Sequence, residues 1–194
     1  MRLNGEVRQT FTSFDQIQTG KLSSCCHYLR ACIDEALRLS PPVGGLMPRE
    51  VLPGGVDIHG HHFPAGVELG VPHYALHHNE AYFKDAFRYN PSRWIIEDGT
   101  SAAEVATVQS AFCAFSIGPR GCIGKNMAYM ELMVSLASIC WLYDMRLTRA
   151  VPPNEPAESA VEALSRRDHQ TMDKFVSKVR GPVIEFRGRR GVMV

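Results

Sequence analysis

Residues 115–124 read FSIGPRGCIG and place one cysteine, Cys122, in a glycine-rich loop directly before an apolar run. A cysteine at the start of a helix meets unpaired backbone N–H groups and the positive end of the helix dipole, which favour a thiolate. The glycines allow unusual backbone dihedrals and a close approach to a bulky group, and Arg120 adds a permanent cation. The loop therefore suits a thiolate that ligates a metal cofactor bearing an anionic group. A lone cysteine is more often a buried structural thiol, and that alternative stays open at this point.

Composition limits the class of protein. The chain has 194 residues, a formal net charge of +1 and 45% hydrophobic residues, which is typical of one soluble domain and gives no electrostatic support for nucleic-acid binding. Its six cysteines form no CxxC pair, which argues against a zinc ribbon or a disulfide framework and favours a reducing compartment. Neither the first twenty residues nor the apolar run 127–142, which Glu131 interrupts, is long enough for a membrane span, so we expect no anchor in this chain.

Apolar residues at helical spacing predict two main helices. The first covers about residues 24–39 and ends at the two prolines that follow, because proline lacks a backbone N–H. Ser23 or Ser24 can cap its start. The second covers about residues 123–143, and its apolar side chains fall nearly all round, so we expect it to lie deep in a larger core.

The other segments are predicted to be shorter and less regular. Three strands are expected at residues 47–52, 56–59 and 67–71, and two more on either side of a Gly-Pro turn within residues 175–186. A short helix capped by Ser13 is expected within residues 1–21, and further helical character at 75–86. Residues 87–94 are predicted to be a packed irregular segment, and 97–108 and 148–170 to be surface loops.

Glu35 and Arg38 lie three residues apart on the first predicted helix and therefore share one face. An exposed pair of this kind contributes only about 0.2–0.5 kcal/mol. The pair gains significance only if it is buried and has a third partner.

Three motifs, in this order and spacing, resemble the C-terminal part of a cytochrome P-450. The family's Glu-x-x-Arg helix corresponds to Glu35–Arg38, and its aromatic–proline–arginine segment to residues 87–94, with Pro91-Ser92-Arg93-Trp94 in place of the commoner Pro-Glu-Arg-Phe/Trp. The family's cysteine signature, Phe-x-x-Gly-x-Arg-x-Cys-x-Gly, is matched at every fixed position, and so is its usual extension: Phe115, Gly118, Arg120, Cys122, Gly124, Ala128 and Glu131. The resemblance covers about residues 10–186 and is strongest to fungal microsomal members.

The resemblance implies a mainly α fold with small β-sheets. The expected order is the Glu-x-x-Arg helix, a β region, an irregular meander, the cysteine loop, a buried long helix and a C-terminal β-hairpin. Residues 1–194 are interpreted as a single truncated haem-thiolate domain, the proximal half of the haem pocket.

The resemblance also implies roles for individual residues. The cofactor is haem b (iron protoporphyrin IX), and Cys122 is its axial iron ligand. Arg120 would pair with one haem propionate and Arg49, by position, with the second. Phe115 would pack beside the sulfur, with Gly118 and Gly124 shaping the loop. Glu35, Arg38 and Arg93 would form a buried ionic cluster with a structural role. Residues Val43, Gly44, Gly45 and Leu46, and a second segment at 172–175, resemble substrate-facing segments, with plain loop packing as an equal alternative.

The implied activity is that of a haem-thiolate monooxygenase, which inserts one oxygen atom of O₂ into a small, apolar organic substrate. Electrons would come from a flavoprotein of the NADPH–cytochrome P-450 reductase type, docked near Arg120 and Lys125, and the parent proteins usually lie on the cytosolic face of the endoplasmic reticulum membrane. The sequence lacks an Ala/Gly-Gly-x-Asp/Glu-Thr pattern for proton delivery, so no catalytic residue is assigned. Two alternatives remain: a truncated remnant that does not bind haem productively, and a non-haem interaction domain with an inert Cys122.

Overall fold

The structure is a computed structural model, and it describes residues 2–97, 99–147, 171–172, 178–179 and 183–189. The predicted surface loop at 148–170 and the possible substrate-facing residues 173–175 lie outside these ranges. Within them, the chain is mainly helical with small antiparallel sheets, as the sequence predicts.

The helices match the two main predictions closely. They are α1 (Arg2–Thr10), α2 (Thr19–Cys25), α3 (His27–Leu39), α4 (His73–His77), α5 (Ala102–Ala111) and α6 (Lys125–Leu142). Single 3-10 turns occur at Phe14–Gln16, Pro91–Trp94 and Gly118–Arg120. Helix α3 ends before Pro41, and α6 follows the cysteine loop, so the two predicted helices are confirmed to within three residues at each end.

The strands are short and pair in four two-stranded antiparallel sheets within the described residues. They are β1 (Arg49–Glu50), β2 (Val56–Ile58), β3 (His61–Phe63), β4 (Glu68–Leu69), β5 (Tyr143–Leu147), β6 (Thr171–Met172), β7 (Lys178–Val179) and β8 (Ile184–Gly188). The pairs are β1 with β4, β2 with β3, β5 with β8, and β6 with β7.

The predicted pairing of two strands within residues 175–186 is wrong. Strand β8 pairs with β5, with Phe186 opposite Met145, and β7 pairs with β6. The partner of β8 lies about 40 residues earlier in the chain, and a local turn pattern carries no information about a partner at that distance. Strand β3 lies where the sequence pattern predicted none.

The main core lies between α1, α2, α3 and α6. Its buried members include Val7, Phe11, Leu22, Leu29, Ile33, Met133, Ala137 and Trp141. Full burial of one such aliphatic or aromatic side chain contributes about 1.5–3 kcal/mol. A smaller cluster, formed by Phe83, Ala86, Val108 and Ala111 with Trp94 against it, joins α5 to the irregular segment before it.

Helix α6 is buried on one side only. Met133, Ala137 and Trp141 face the core, whereas Met127 is 61% exposed and Met130 is 46% exposed. The prediction that this helix lies deep in a core is right for the side that carries Met133, Ala137 and Trp141. It is wrong for Met127 and Met130, whose apolar side chains are exposed.

Arg8 connects α1 to the end of α6. Its Nε donates to the carbonyl of Cys140 at 3.0 Å, and its Nη2 donates to the carbonyl of Tyr143 at 2.8 Å. Its Nη1 also lies 2.8 Å from Oδ1 of Asp144. The cation therefore occupies the C-terminal end of α6, where unpaired carbonyls and the helix dipole favour positive charge.

The serines predicted as helix caps do not cap the helices. Ser23 and Ser24 lie inside α2, where their hydroxyls donate to carbonyls one turn earlier. Ser13 precedes the 3-10 turn at 14–16 and makes no side-chain cap there. The start of α3 is capped instead by Glu6 of α1, whose Oε1 and Oε2 accept the N–H groups of Tyr28 at 2.7 Å and Leu29 at 2.8 Å.

Two further segments differ from the prediction. Residues 97–108 are not a surface loop, because α5 begins at Ala102 with a capping box between Ser101 and Glu104, and it buries Val105 and Val108. The helical character expected at residues 75–86 ends at His77. The polar, alanine-rich composition concealed the capping box, whose S-x-x-E pattern was present in the sequence.

Replacement of Glu6 by alanine should lower the free energy of unfolding by about 1–2 kcal/mol, because two N–H groups at the start of α3 lose a charged acceptor. Urea unfolding followed by circular dichroism measures this change. Glu68→Ala, which removes an exposed carboxylate on β4, is the control and should change stability little. Equal effects of the two variants would contradict the cap.

Candidate functional site

The cysteine loop, residues 112–124, connects α5 to α6 and is closed by its own backbone. The N–H of Cys122 donates to the carbonyl of Phe115 at 2.8 Å, and the N–H of Lys125 donates to the carbonyl of Cys122 at 3.3 Å. Cys122 is exposed, and Gly124, the N-cap of α6, lies two residues after it. The loop thus presents a thiol to the surface beside the N-terminus of an 18-residue helix.

Backbone conformation explains the residue types of the loop. Gly118 has φ of +75°, in the left-handed region that glycine adopts without strain. Ser116 has φ of +57°, and as a non-glycine residue in this region it is strained. A Cβ added to Gly124 would lie 3.8 Å from Sγ of Cys122, an ordinary van der Waals distance, so this position is directly beside the sulfur.

Phe115 is anchored to two helices. Its ring centroid lies 5.1 Å from that of Tyr129, whose hydroxyl donates to Oδ1 of Asp34 at 2.6 Å. Arg30 donates to the other carboxylate oxygen at 2.9 Å and stacks over the Tyr129 ring. Burial raises the pKa of Asp34, while the Tyr129 hydrogen bond and the Arg30 charge oppose this shift. Burial and the nearby carboxylate raise the pKa of Tyr129, so its hydroxyl stays protonated and acts as the donor.

Glu35 is the centre of a buried ionic cluster. The side chains of Glu35 and Arg38 are 0% exposed, and that of Arg93 is 6% exposed. The carboxylate accepts five hydrogen bonds at 2.9–3.1 Å, from Arg38 Nε, Arg38 Nη2, the Asn90 N–H, Arg93 Nε and the Trp94 indole N–H. The structure therefore brings together the three charged residues that the sequence grouped.

The remaining donors of the two arginines hold the backbone of the meander, the irregular segment around residues 77–94. Arg38 Nη1 donates to the carbonyls of His77 at 2.7 Å and Ala86 at 2.6 Å. Arg93 Nη1 donates to the carbonyl of Lys84 at 2.8 Å. An irregular segment has no regular backbone hydrogen bonds to satisfy these carbonyls. The buried guanidinium groups supply the missing donors.

A comparison with known protein families gives a match over most of the chain. A sequence model of the cytochrome P-450 family matches residues 1–171 of the chain. The chain belongs to the cytochrome P-450 family. This is a family of haem-containing oxidoreductases, which fits a loop that exposes one thiol.

Fungal members of the family are similar along almost the whole chain. Cytochrome P-450 monooxygenase AKT7 of Alternaria alternata is 42% identical over 193 residues, which cover 96% of this chain and 37% of that protein. Cytochrome P-450 monooxygenase poxM of Penicillium oxalicum is 41% identical over 186 residues, covering 96% of this chain and 33% of that protein. Cytochrome P-450 monooxygenase apf8 of Gibberella fujikuroi is 40% identical over 193 residues, which cover 97% of this chain and 51% of that protein. The chain thus spans between a third and a half of the length of these curated relatives.

The two arginines predicted to bind the haem propionates are exposed in this cytochrome P-450 chain. Arg120 lies on the surface in the 3-10 turn of the cysteine loop. Arg49, in β1, is also exposed, and its Nη1 donates to the carbonyl of Pro48 at 2.8 Å. Ser116 donates to the sulfur of Met47 at 3.5 Å, which brings the segment around Arg49 against the cysteine loop.

Residues 43–46, predicted to face substrate, lie between the end of α3 and β1. Val43, Gly44 and Gly45 are half-buried, and Leu46 is 49% exposed. The carbonyl of Gly44 accepts the N–H of Tyr74 at 2.9 Å, which fixes this segment to α4.

The residues present fit haem. The thiol of Cys122 is exposed, and a thiolate is the soft donor that haem iron accepts from cysteine. Three large apolar residues close to Cys122 in the chain are also exposed: Ile117, Ile123 and Met127. Two exposed arginines, Arg120 and Arg49, are of the type that binds carboxylates in a bidentate manner. An anionic donor, an apolar surface and carboxylate-binding cations match a planar apolar ring with an iron centre and two propionates.

Among the described residues, no group of three or more His, Cys, Asp or Glu side chains is arranged to hold a metal ion. In the same part of the chain, no helix combines the length and the apolar character needed to cross a bilayer.

Sequence reasoning missed three contributors to this region. Trp94 and Asn90 donate to Glu35, and His77 accepts the N–H of Cys113 through its Nε2 at 3.0 Å. Burial lowers the pKa of His77 to about 4, and the neighbouring His73 ring adds to this shift. Trp94 belonged to a recognised motif, so its role could have been inferred, whereas a histidine in a short helix gave no signal of its own.

Replacement of Glu35 by glutamine should lower the free energy of unfolding by about 3–5 kcal/mol, because two buried guanidinium groups lose their counter-charge. Arg146→Met is the control, since it breaks an exposed ion pair with Glu185. The side chain of Arg146 is 79% exposed and that of Glu185 is 49% exposed. That variant should cost less than about 1 kcal/mol. Denaturant unfolding of both variants measures the difference, and similar losses would contradict a special role for the buried cluster.

Acid should destabilise the chain partly through His77. As the pH falls from 6.5 towards 4, the unfolded chain gains a proton that the native ring excludes, so stability is lost across this window and is retained above it. The loss from this one residue is roughly 3 kcal/mol. Unfolding of wild type and His77→Gln, compared at pH 7 and pH 4.5, measures it. The variant should lose less stability than wild type, and His61→Gln, at an exposed site, should behave like wild type.

Proposed function

We propose that this chain is the haem-binding C-terminal part of a cytochrome P-450 monooxygenase, in which the Cys122 thiolate would hold the haem iron. The observation that carries the proposal is the cysteine loop itself. It matches the family's signature at every fixed position and exposes the thiol while its own N–H is held by the Phe115 carbonyl. A structural cysteine would be expected inside the core, as Cys26 and Cys140 are.

The reaction of the whole protein would be R–H + O₂ + 2e⁻ + 2H⁺ → R–OH + H₂O. Thiolate-ligated haem, when bound, supplies the oxygen activation that this reaction requires. The contribution of this chain is to hold the cofactor. Cys122 would supply the iron ligand, and Arg120 and Arg49 would bind the two propionates.

The loop around the sulfur would set the electronic character of the ligand. The N–H of Cys122 already donates to Phe115, so it is not available to the sulfur of the same residue. The Phe115 ring is fixed against Tyr129 and would limit access of water to the thiolate. The glycine at 118 supplies the backbone turn, and the one at 124 lies beside the sulfur.

Glu35, Arg38 and Arg93 would act as a structural cluster that keeps the meander in place beneath the loop. No proton at the reacting centre is assigned to them, because the carboxylate is fully occupied by five donors. Their role is to fix the position of the cofactor ligand, which is the part of catalysis that depends on accurate placement.

The surface chemistry supports a proposal for the substrate and the partner. Val43, Gly44, Gly45 and Leu46 would form one side of the site for a small apolar substrate, since the segment combines apolar side chains with glycines and is partly exposed. The exposed cations Arg120 and Lys125 would attract the acidic surface of a flavoprotein reductase. We propose the cytosolic face of the endoplasmic reticulum membrane as the location of the parent protein. A net charge of +1 does not favour nucleic acid as a partner.

Titration of the purified chain with haem tests the proposal. Wild type should take up haem and, when reduced under CO, show the long-wavelength Soret band of thiolate ligation. Cys122→Ser should lose that band, because the hydroxyl does not replace a thiolate as ligand. Cys25→Ser is the matched control, since it removes another exposed cysteine and should leave the spectrum unchanged.

Two outcomes would contradict the proposal. If Cys122→Ser kept the thiolate band, another residue would be the ligand. If the folded chain took up no haem, it would be a remnant of the fold that does not bind the cofactor productively.

A further inference from the structure

His77 occupies a fixed position between two aromatic rings. It is fully buried at the end of α4, with the ring of Phe112 stacked on it at a centroid distance of 5.4 Å and the ring of Phe83 edge-on at 6.0 Å. An imidazole held in this way cannot turn without displacing a neighbour. The position of its Nε2 is therefore set by packing.

Nε2 of His77 accepts the backbone N–H of Cys113 at 3.0 Å. This nitrogen must carry a lone pair to do so, and the neutral ring therefore has its proton on Nδ1. The Cys113 N–H is buried, and without the ring it would lack an acceptor at the first residues of the cysteine loop.

The backbone of the same histidine is tied to the ionic cluster. Its carbonyl accepts Nη1 of Arg38 at 2.7 Å, and the other two nitrogens of that guanidinium group donate to Glu35. His77 is thus bonded on one side to the buried cluster and on the other to the loop.

Two further hydrogen bonds carry this link to Cys122. The carbonyl of Cys113 accepts the N–H of Ser116 at 2.8 Å, which closes the turn where Ser116 has its strained φ. The carbonyl of Phe115, the residue inside that turn, accepts the N–H of Cys122 at 2.8 Å. The carbonyl that holds Cys122 therefore belongs to Phe115, two residues after Cys113, whose N–H His77 accepts.

We infer that His77 is a positioning residue for Cys122: its ring fixes the backbone at Cys113, its carbonyl fixes Arg38, and the cysteine loop is thereby locked to the buried ionic cluster. The inference rests on the proposed function in so far as Cys122 is the iron ligand. It assigns a role to a histidine that lies 45 positions before that cysteine and does not touch it.

The alternative is that His77 only fills space between aromatic rings. A space-filling role needs a flat side chain but no hydrogen-bond acceptor. Two variants that differ in where they place a polar atom therefore distinguish the space-filling role from the positioning role. Glutamine puts its amide oxygen near the position of Nε2, whereas asparagine is one methylene shorter and its amide atoms reach only the position of Nδ1. Both side chains are neutral, and neither preserves the aromatic packing.

Amide hydrogen exchange of Ser116 and Cys122, measured by NMR in the 194-residue chain without haem, reports on the loop directly. His77→Asn should accelerate exchange at both amides by about tenfold, beyond any change in global stability measured by urea unfolding, because the buried N–H of Cys113 loses its acceptor. His77→Gln should keep the exchange rates within about threefold of wild type. Cys113→Ala, which removes the thiol and leaves the backbone N–H in place, should behave like the glutamine variant.

A further control separates positioning from general loss of stability. Val7→Ala removes buried methyl groups from α1, far along the chain from the loop. When it is compared with His77→Asn at equal global stability, it should not selectively accelerate exchange of the Ser116 and Cys122 amides. The inference is overturned if His77→Asn leaves both amides as in wild type, if Asn and Gln act alike, or if the two amides are unprotected in wild type.

Loading the same variants with haem separates this inference from the proposed function. His77→Asn should lower the fraction of reduced, CO-bound chain with the thiolate Soret band, and His77→Gln should restore it. Failure of wild type to bind haem would refute the proposed function while the exchange result stood by itself. A normal thiolate spectrum in wild type, combined with unchanged exchange in His77→Asn, would refute only the positioning role.

Discussion

The carboxylate of Glu35 is the interaction on which the rest of the structure depends. A fully buried charge is tolerated only when its lost hydration is replaced, and here five donors replace it. These donors come from α3 and from residues 90–94, which have little regular structure. One anion thus determines where an irregular segment lies, and Arg38 extends this control to the carbonyls of residues 77 and 86. Removal of either partner would leave a buried charge without compensation, which is why the cluster acts as a unit.

Features that depend on neighbours in the chain could be predicted from the sequence. Helices α3 and α6 follow from apolar spacing and from the prolines and glycines at their ends, and the turn residues of the cysteine loop follow from its glycines. The partnership of Arg93 with Glu35 was a different matter. The two are 58 residues apart, and only the resemblance to a family connected them before the structure did.

Features that depend on distant contacts could not be predicted in this way. Serines near α3 were plausible caps, yet the N–H groups are taken by Glu6, which becomes available only because α1 packs beside α3. Strand β8 pairs with β5, and His77 meets Cys113, through the same kind of distant contact. Local propensity is a weak prior when a partner from elsewhere in the fold satisfies the same backbone groups. The start of α5 is different, because its capping box is a local sequence pattern. It could have been predicted, but the polar, alanine-rich composition of the segment favoured a loop.

The contact between Arg8 and the end of α6 has a consequence for how the chain folds. The residues that it joins are 132 and 135 positions apart in the chain, so α6 must have been synthesised before this contact can form. During synthesis, α1 leaves the ribosome long before α6 exists, and its apolar face with Val7 stays without its final partner throughout that time. Contacts at this sequence separation raise the contact order of the fold, and folding is slower than in a fold stabilised by local contacts alone.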